Sequence, residues 1–451
     1  MAWLDGTPAY VDQGVPGDVV DLQVTRKRKN VLQARVLQFH RYSEQRVEPF
    51  CQHFGECGGC KWQNLPYQEQ LHYKQKAVWA ALAKVEQPEP FEFRDILPAP
   101  ATRYYRNKLE YTFSSRRWLS QSEVESEQAI AQRNALGFHI PGMFDRVLDI
   151  EQCYLQPEPS NAIRQSLRAF ALEQQLEFYD PKTHQGFLRT LMIRTTNTGE
   201  TMVVVAFYRD DRYQIAQVMT HLVTQFPEIT SLLYTINPKP NDSLYDLEMV
   251  CWYGQDFILE TLGSLKFQIG AKSFFQTNTD QALRLYQVVA QFANLTGQET
   301  VYDLYTGTGT IANFIAQQAK RVIGVEYIAE AIDNAQENSR LNGITNTHFV
   351  AGDIKDILTP EWVEQQGHPD VLITDPPRAG MHPDVVNSIL QTNPARIVYV
   401  SCNPETQAND LRLLQSQYQV CLVQPVDMFP QTYHVENVVL LQRRTLSGEM
   451  G

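Results

Sequence analysis

The residue of this chain best placed for covalent chemistry is Cys402. It follows the apolar run ARIVYV (395–400) and precedes Asn403-Pro404, a turn signal. In an open parallel sheet such a strand end faces the ligand crevice. A helix beginning just beyond, over PETQANDLRLLQSQ, would turn its positive end towards the sulfur and favour the thiolate. A lone free cysteine is more often a small buried hydrophobe, so its neighbours decide. Upstream, Thr300–Thr310 reads as a short strand entering a glycine turn, where Gly307 and Gly309 let backbone approach a ligand at a helix N-terminus. RVIGVE then ends in Glu326, an acid suited to a ribose diol. THFVAGD ends in Asp353, and DVLITDPPRAG carries Asp375-Pro376-Pro377 at its strand end. Polar residues at successive strand ends, followed by a thiol, describe a nucleotide-like cofactor beside a nucleophile.

These segments, with KSFFQTN (272–278) before them and MFPQTYHVE (428–436) after, resemble the S-adenosylmethionine-dependent RNA 5-methyluridine methyltransferases in content and order. The resemblance covers the last 180 or so residues, and it implies S-adenosylmethionine as cofactor. It implies cofactor contacts from Gln276, Tyr305, Glu326 and Asp375, with Cys402 as nucleophile and Glu436 as base; Asp353 joins the candidate cofactor set from its place at a strand end. Carbon 5 of uracil is a poor nucleophile until a thiolate adds to carbon 6 and turns the ring into an enolate. After methyl transfer a base must remove the carbon 5 proton. His434 stands two residues from Glu436, and alternation along a strand would put both on one face, so spacing does not choose between them. A uracil within folded RNA must be splayed out, and Phe274 or Phe275 could stack on it.

Two other classes compete. Asp375-Pro-Pro-Arg378 is related to the strand-end motif of amino-methyltransferases, which carry an aromatic where this chain has Arg378 and need no thiol. A non-catalytic RNA-binding protein could retain the same fold. The joint presence of Cys402 and Glu436 argues against both.

A second cluster lies at Cys51, Cys57 and Cys60, with glycines at 58 and 59 allowing a tight wrap. Three thiols so close have metal-site spacing and need a fourth ligand, for which Cys153 is the choice. Cys251 and Cys421 read as packing residues and His53 as a surface residue. By resemblance the four cysteines hold a [4Fe-4S] cluster of the kind found in family members that modify 23S ribosomal RNA. A structural zinc is the rival ligand, and a transfer RNA uridine is the rival substrate.

A chain of 451 residues with 43% hydrophobic composition has room for two or three domains. Seven cysteines, an odd number, argue for metal or catalytic use over a disulfide framework. No apolar run reaches about eighteen residues and the N-terminus lacks a basic segment followed by an apolar one, which predicts a soluble, cytoplasmic protein, read as a monomer. The net charge of −12 opposes RNA binding, but its distribution does not. Arg26, Lys27, Arg28, Lys29, Arg35 and Arg41 occupy a stretch without acids, and Arg103, Arg106, Lys108, Arg116 and Arg117 alternate with Tyr104, Tyr105, Tyr111 and Trp118.

The fold these patterns predict is a Rossmann-like α/β methyltransferase domain over 266–451, a central α+β domain over 46–265 containing the cysteines, and a small OB-like β-barrel over 1–45. The first segment is similar to the TRAM module, shortened where the chain begins, with the usual first strand missing. An amphipathic helix over 65–85 is expected to reach across to the catalytic domain.

Overall fold

The computed structural model describes residues 2–4, 7–28, 31–86, 90–126 and 132–444. The sheet built from the predicted catalytic domain has eight strands, ordered Thr347–Ala351, Arg321–Glu326, Thr300–Leu304, Val371–Thr374, Arg396–Ser401, Glu436–Arg443, Tyr418–Val426 and Glu92–Phe93. The first five run parallel, and Glu436–Arg443 inserts antiparallel beside Arg396–Ser401. Unbroken apolar runs make these strands because both faces are covered. Along Arg396–Ser401, Val398 and Val400 enter one core with Val289 and Ile315, while Ile397 and Tyr399 enter the opposite one with Ile389 and Leu411.

The far edge of this sheet is completed from early sequence. Glu92–Phe93 pairs in parallel with Leu422 and Val423, and the helix Tyr67–Leu82 lies on the helix Pro404–Leu414. The central sheet has seven strands, of which Leu188–Thr195 and Thr201–Phe207 are buried along their whole length. One face packs under the helices Ser160–Glu173 and Arg212–Gln225, and the other sends Met192, Met202 and Val204 into the core shared with the catalytic sheet. A hairpin, Phe257–Leu262 with Leu265–Gly270, joins the two regions and straddles residue 265.

At the N-terminus the strands Ala2–Leu4, Thr7–Asp12, Val31–Arg41 and Val19–Arg28 form an open four-stranded sheet in that order. The expectation of a missing first strand needs correction, because Ala2–Leu4 pairs antiparallel with Thr7–Ala9. Among the described residues no helix is long and apolar enough to cross a membrane.

The early helix is fastened by charge as well as by packing. Lys74 Nζ donates to Asp427 Oδ1 at 2.6 Å with both side chains fully buried, and Tyr67 Oη donates to Asp427 Oδ2 at 2.8 Å. Removing one partner of such a pair strands the other charge in a dry site. Lys74→Met should therefore destabilise the protein by about 3–5 kcal/mol, read as a lowered urea or thermal midpoint. Adding Asp427→Asn to that chain should recover part of the loss.

Candidate active site

The antiparallel insertion of the last sheet strand decides what meets at the crevice. Parallel strands present their carboxyl ends there, but an antiparallel strand presents its first residue. Ser401 pairs with Asn437, so Glu436 opens its strand beside Cys402. Both line a cavity of about 790 Å3 with Gln276, Tyr305, Glu326, Asp375 and His434. His434 lies in the loop before the strand, so the alternation argument does not apply to it, yet it faces the same space.

Local structure holds each group. Asn403 caps the helix Pro404–Leu414 by accepting from Glu405 N at 3.2 Å, and its Nδ2 donates to Arg378 O at 3.1 Å, tying the cysteine turn to the Asp375–Arg378 loop. Gly307 has φ +55° in the glycine turn, and a Cβ there would meet nothing within 4 Å, which leaves its face open to the cavity. Its N–H donates to Glu326 Oε2 at 3.2 Å while Ile328 N donates to Oε1 at 3.1 Å. The Glu326 carboxylate is thus aimed, with lone pairs to spare. Arg194 Nη2 donates to Ser273 O at 2.6 Å and Asn107 Nδ2 to Gln276 O at 2.9 Å. The central sheet therefore shapes the loop that presents Gln276.

Phe274 is 64% exposed on the cavity wall, whereas Phe275 is 4% exposed and packs near Phe267. Of these two, only Phe274 is available to stack on a base. Asp353 does not line the cavity. It caps the helix Ile354–Ile357 by accepting from Lys355 N at 3.2 Å and pairs with Lys355 Nζ at 3.3 Å.

Burial dominates the electrostatics. Glu436 is pushed up to about 8 by desolvation and then by the charge of Asp375. Asp375 is pushed up to about 7 by desolvation and then by Asp303, and Asp303, immediately behind the glycine turn, also rises to about 7 by desolvation. The thiol of Cys402 is pushed up to about 11, first by burial and then by Glu436 and Asp375, with Arg378 opposing. Against the expected preference for thiolate at the helix end stand burial and two neighbouring carboxyls, which push the thiol up. His434 falls to about 4 through burial and then the cations Arg378, Lys74 and Arg106. Buried carboxyls whose proton affinity is raised in this way favour a cationic ligand, whose charge would lower it again.

The four cysteines Cys51, Cys57, Cys60 and Cys153 line one separate cavity of about 470 Å3, and all are free thiols. Burial raises each of them, Cys57 to about 11 and Cys60 to about 12. Among the described residues no three His, Cys, Asp or Glu side chains converge closely enough to hold a single metal ion. His53, read as a surface residue, instead accepts from Glu151 N at 2.9 Å and lines this cavity. Cys251, read as packing, is exposed.

The second basic patch is largely neutralised. Lys108 pairs with Glu110 at 2.7 Å, Arg116 with Asp180 at 2.8 Å and Arg117 with Glu123 at 2.5 Å. Tyr105 and Tyr111 are core residues, leaving Tyr104 exposed. In the first patch Arg26, Lys27 and Arg41 are exposed, while the Arg28 side chain and Lys29 lie outside the described residues. Sequence reasoning did not single out Asp303 or the place of Arg106, which lies over Phe429 at 5.3 Å and lines both cavities. The apolar strand ending VYDL was the signal for Asp303. Nothing local marks Arg106.

The raised carboxyls make stability pH-dependent. Each contributes fully below its unfolded value of about 4 and loses that contribution as pH rises through its folded value. The melting temperature of the ligand-free protein should therefore fall as pH is raised towards the values of about 7, 7 and 8 held by Asp303, Asp375 and Glu436. Glu436→Gln should flatten the upper part of that curve. Alkylation of Cys402, followed on its own peptide by mass spectrometry, should keep rising with pH up to about 11.

Comparison with known proteins gives the family and the fold. A sequence profile described as tRNA (uracil-5-)-methyltransferase matches residues 363–444, and one described as a methyltransferase domain matches residues 301–372. The chain is 53% identical over 438 residues to a Bacteroides thetaiotaomicron protein named "uncharacterized RNA methyltransferase", with 96% of each chain covered. It is 52% identical over 449 residues to a Porphyromonas gingivalis protein of the same name, with 98% of this chain and 97% of that one covered. Among solved structures, Pyrococcus abyssi tRNA (uracil-54, C5)-methyltransferase in complex with S-adenosyl-L-homocysteine superposes with a TM-score of 0.74 at 28% identity, covering 96% of this chain and 95% of that one. The chain belongs to the RNA methyltransferases, with a tRNA (uracil-5-)-methyltransferase family domain on an S-adenosylmethionine-dependent methyltransferase fold.

Proposed function

We propose that this protein methylates carbon 5 of a uridine in RNA through a covalent bond between Cys402 and carbon 6. The observation that carries the reading is the meeting of the Cys402 thiol and the Glu436 carboxyl in one dry cavity, forced by antiparallel pairing of their strands. Gln276, Tyr305, Glu326 and Asp375 are proposed to hold S-adenosylmethionine, with Glu326 on the ribose. When bound, the cofactor supplies an electrophilic methyl group and a positive charge. In that field the Cys402 proton passes more readily to solvent, because the acids that raise the thiol are offset.

The thiolate adds to carbon 6, with Phe274 stacking on the extruded base, and carbon 5 takes the methyl group. Glu436 as carboxylate then removes the carbon 5 proton, the double bond re-forms and the Cys402 thiolate departs. His434, depressed to about 4, is neutral at physiological pH and is the weaker of the two bases in this cavity.

For the cysteine cavity we propose a [4Fe-4S] cluster held by Cys51, Cys57, Cys60 and Cys153. What supports this reading is that four free thiols line one cavity, together with the resemblance. The cysteine set supports 23S ribosomal RNA as substrate by resemblance. The likeness to the Pyrococcus abyssi enzyme supports a transfer RNA uridine instead. In this reading residues 1–45 engage RNA, residues 46–265 position it and hold the cluster, and residues 266–451 transfer the methyl group.

Given methyl donor and substrate RNA, Glu436→Gln should accumulate a denaturation-resistant protein–RNA adduct that already carries the methyl group, whereas Cys402→Ala should bind both and form none. Wild type should form the same kind of adduct with 5-fluorouridine RNA, because fluorine cannot leave as a cation. Normal turnover by Cys402→Ala would sink the mechanism. Anaerobically purified protein should be brown and contain iron and sulfide, with loss of iron in Cys153→Ser; colourless protein with one zinc would favour the rival. Mapping 5-methyluridine in ribosomal and transfer RNA from cells lacking the protein decides the substrate.

A further inference from the structure

Residues 427–435 connect the strand Tyr418–Val426 to the strand that opens with Glu436. The Glu436 carboxyl is surrounded by burial and the charge of Asp375, and no hydrogen bond reaches it among the described residues. Its aim is therefore set by the backbone that carries it: the pairing of Glu436 with Val426 at the strand's first residue, and the loop 427–435 that joins these two paired residues.

The loop is strained at one residue and clamped there. Gln431 has φ +69°, the left-handed region that a side-chain-bearing residue adopts only when its surroundings impose it. Those surroundings come from residues 61–70, which begin immediately after Cys60. Lys61 N and Trp62 N donate to Gln431 O at 2.8 and 3.0 Å. Gln70, 1% exposed, closes a reciprocal pair: its Oε1 accepts from Gln431 N at 2.9 Å and its Nε2 donates to Gln431 Oε1 at 3.0 Å. The same Nε2 reaches Trp62 O and Leu65 O, both at 2.9 Å, so the clamp also orders the segment that delivers Lys61 and Trp62. One helical turn beyond Gln70, Lys74 Nζ donates to Asp427 Oδ1 at 2.6 Å and to Phe429 O at 3.0 Å, and Tyr105 Oη donates to Pro430 O at 2.9 Å. Lys74 and Tyr105 restrain the start of the loop. Gln70 grips the strained residue nearest Glu436.

We propose that Gln70 is a positioning residue for proton abstraction, its amide clamp on Gln431 holding residues 427–435 in the conformation that aims Glu436 at carbon 5. This rests on the functional reading above. The step concerned is the last one: Glu436 takes the carbon 5 proton, the C–H electron pair forms the C5–C6 double bond, and the Cys402 sulfur leaves carbon 6 as thiolate. A loosened clamp should slow that step while leaving addition and methyl transfer, which do not use Glu436 as base, near their wild-type rates.

The test is a single-turnover experiment with labelled methyl donor and substrate RNA, following formation and resolution of the methylated adduct in wild type, Gln70→Ala, Gln431→Ala and Glu436→Gln. Gln70→Ala should form the adduct at the wild-type rate and resolve it about 10- to 100-fold more slowly, the scale expected for a small displacement of a reacting group, with unchanged affinity for donor and RNA. Gln431→Ala, which keeps the backbone bonds, should show the same defect in smaller measure, and it decides the matter alone if Gln70→Ala does not fold. Resolution at the wild-type rate in the folded variants overturns the proposal. So does an equal slowing of formation and resolution, which would mark general structural support. If Glu436→Gln itself accumulates no methylated adduct, the functional reading fails; if it does and the clamp variants do not, only the clamp fails.

Discussion

The structure depends on one strand running against its neighbours. In a parallel sheet every strand delivers its last residues to the ligand crevice, and all the groups proposed to meet the cofactor from strand ends arrive that way. A second reactive group beside Cys402 needs a strand whose first residue lies at that edge. Glu436–Arg443 satisfies this because it pairs antiparallel to Arg396–Ser401, with Ser401 opposite Asn437. The connection before it then has to cross the mouth of the cavity, and that is why residues 427–435 supply Phe429 and His434 to the lining.

Dryness is the second constraint. Burial raises the proton affinity of Asp303, Asp375 and Glu436, with Asp303 adding to the effect on Asp375 and Asp375 to that on Glu436, and burial likewise holds the Cys402 thiol high. A positive charge entering the cavity would lower the proton affinity of each of these groups, so in the proposed reaction cofactor binding and ionisation of Cys402 are electrostatically linked. Arg378, on the adjoining loop, also lowers the proton affinity of Cys402.

The early part of the chain is structural material for the late part. Lys74 and Tyr67 bury against Asp427, Glu92–Phe93 extends the catalytic sheet, and Arg194 and Asn107 of the central region fix the loop presenting Gln276. The cysteine-lined cavity is separate from the catalytic one, but Arg106 and Thr277 belong to both walls. A molecule assembled this way is not divided functionally where the sequence changes character.

By itself the sequence determined whatever depends on short-range chemistry. Apolar runs ending in turn residues located the parallel strands, the glycines at 307 and 309 marked the close approach, and Cys402 stood out because a thiol at a strand end is a local pattern. Tertiary structure decided what depends on partners distant in the chain. Phe274 and Phe275 are indistinguishable in sequence, and only packing against Phe267 sends one inward and leaves the other on the wall. The cations at 108, 116 and 117 looked like an RNA surface until folding supplied Glu110, Asp180 and Glu123 as partners. The raised thiol of Cys402 and the clamp of Gln70 on Gln431 were equally hidden, because dielectric surroundings and hydrogen bonds across 361 positions arise only when the chain is folded.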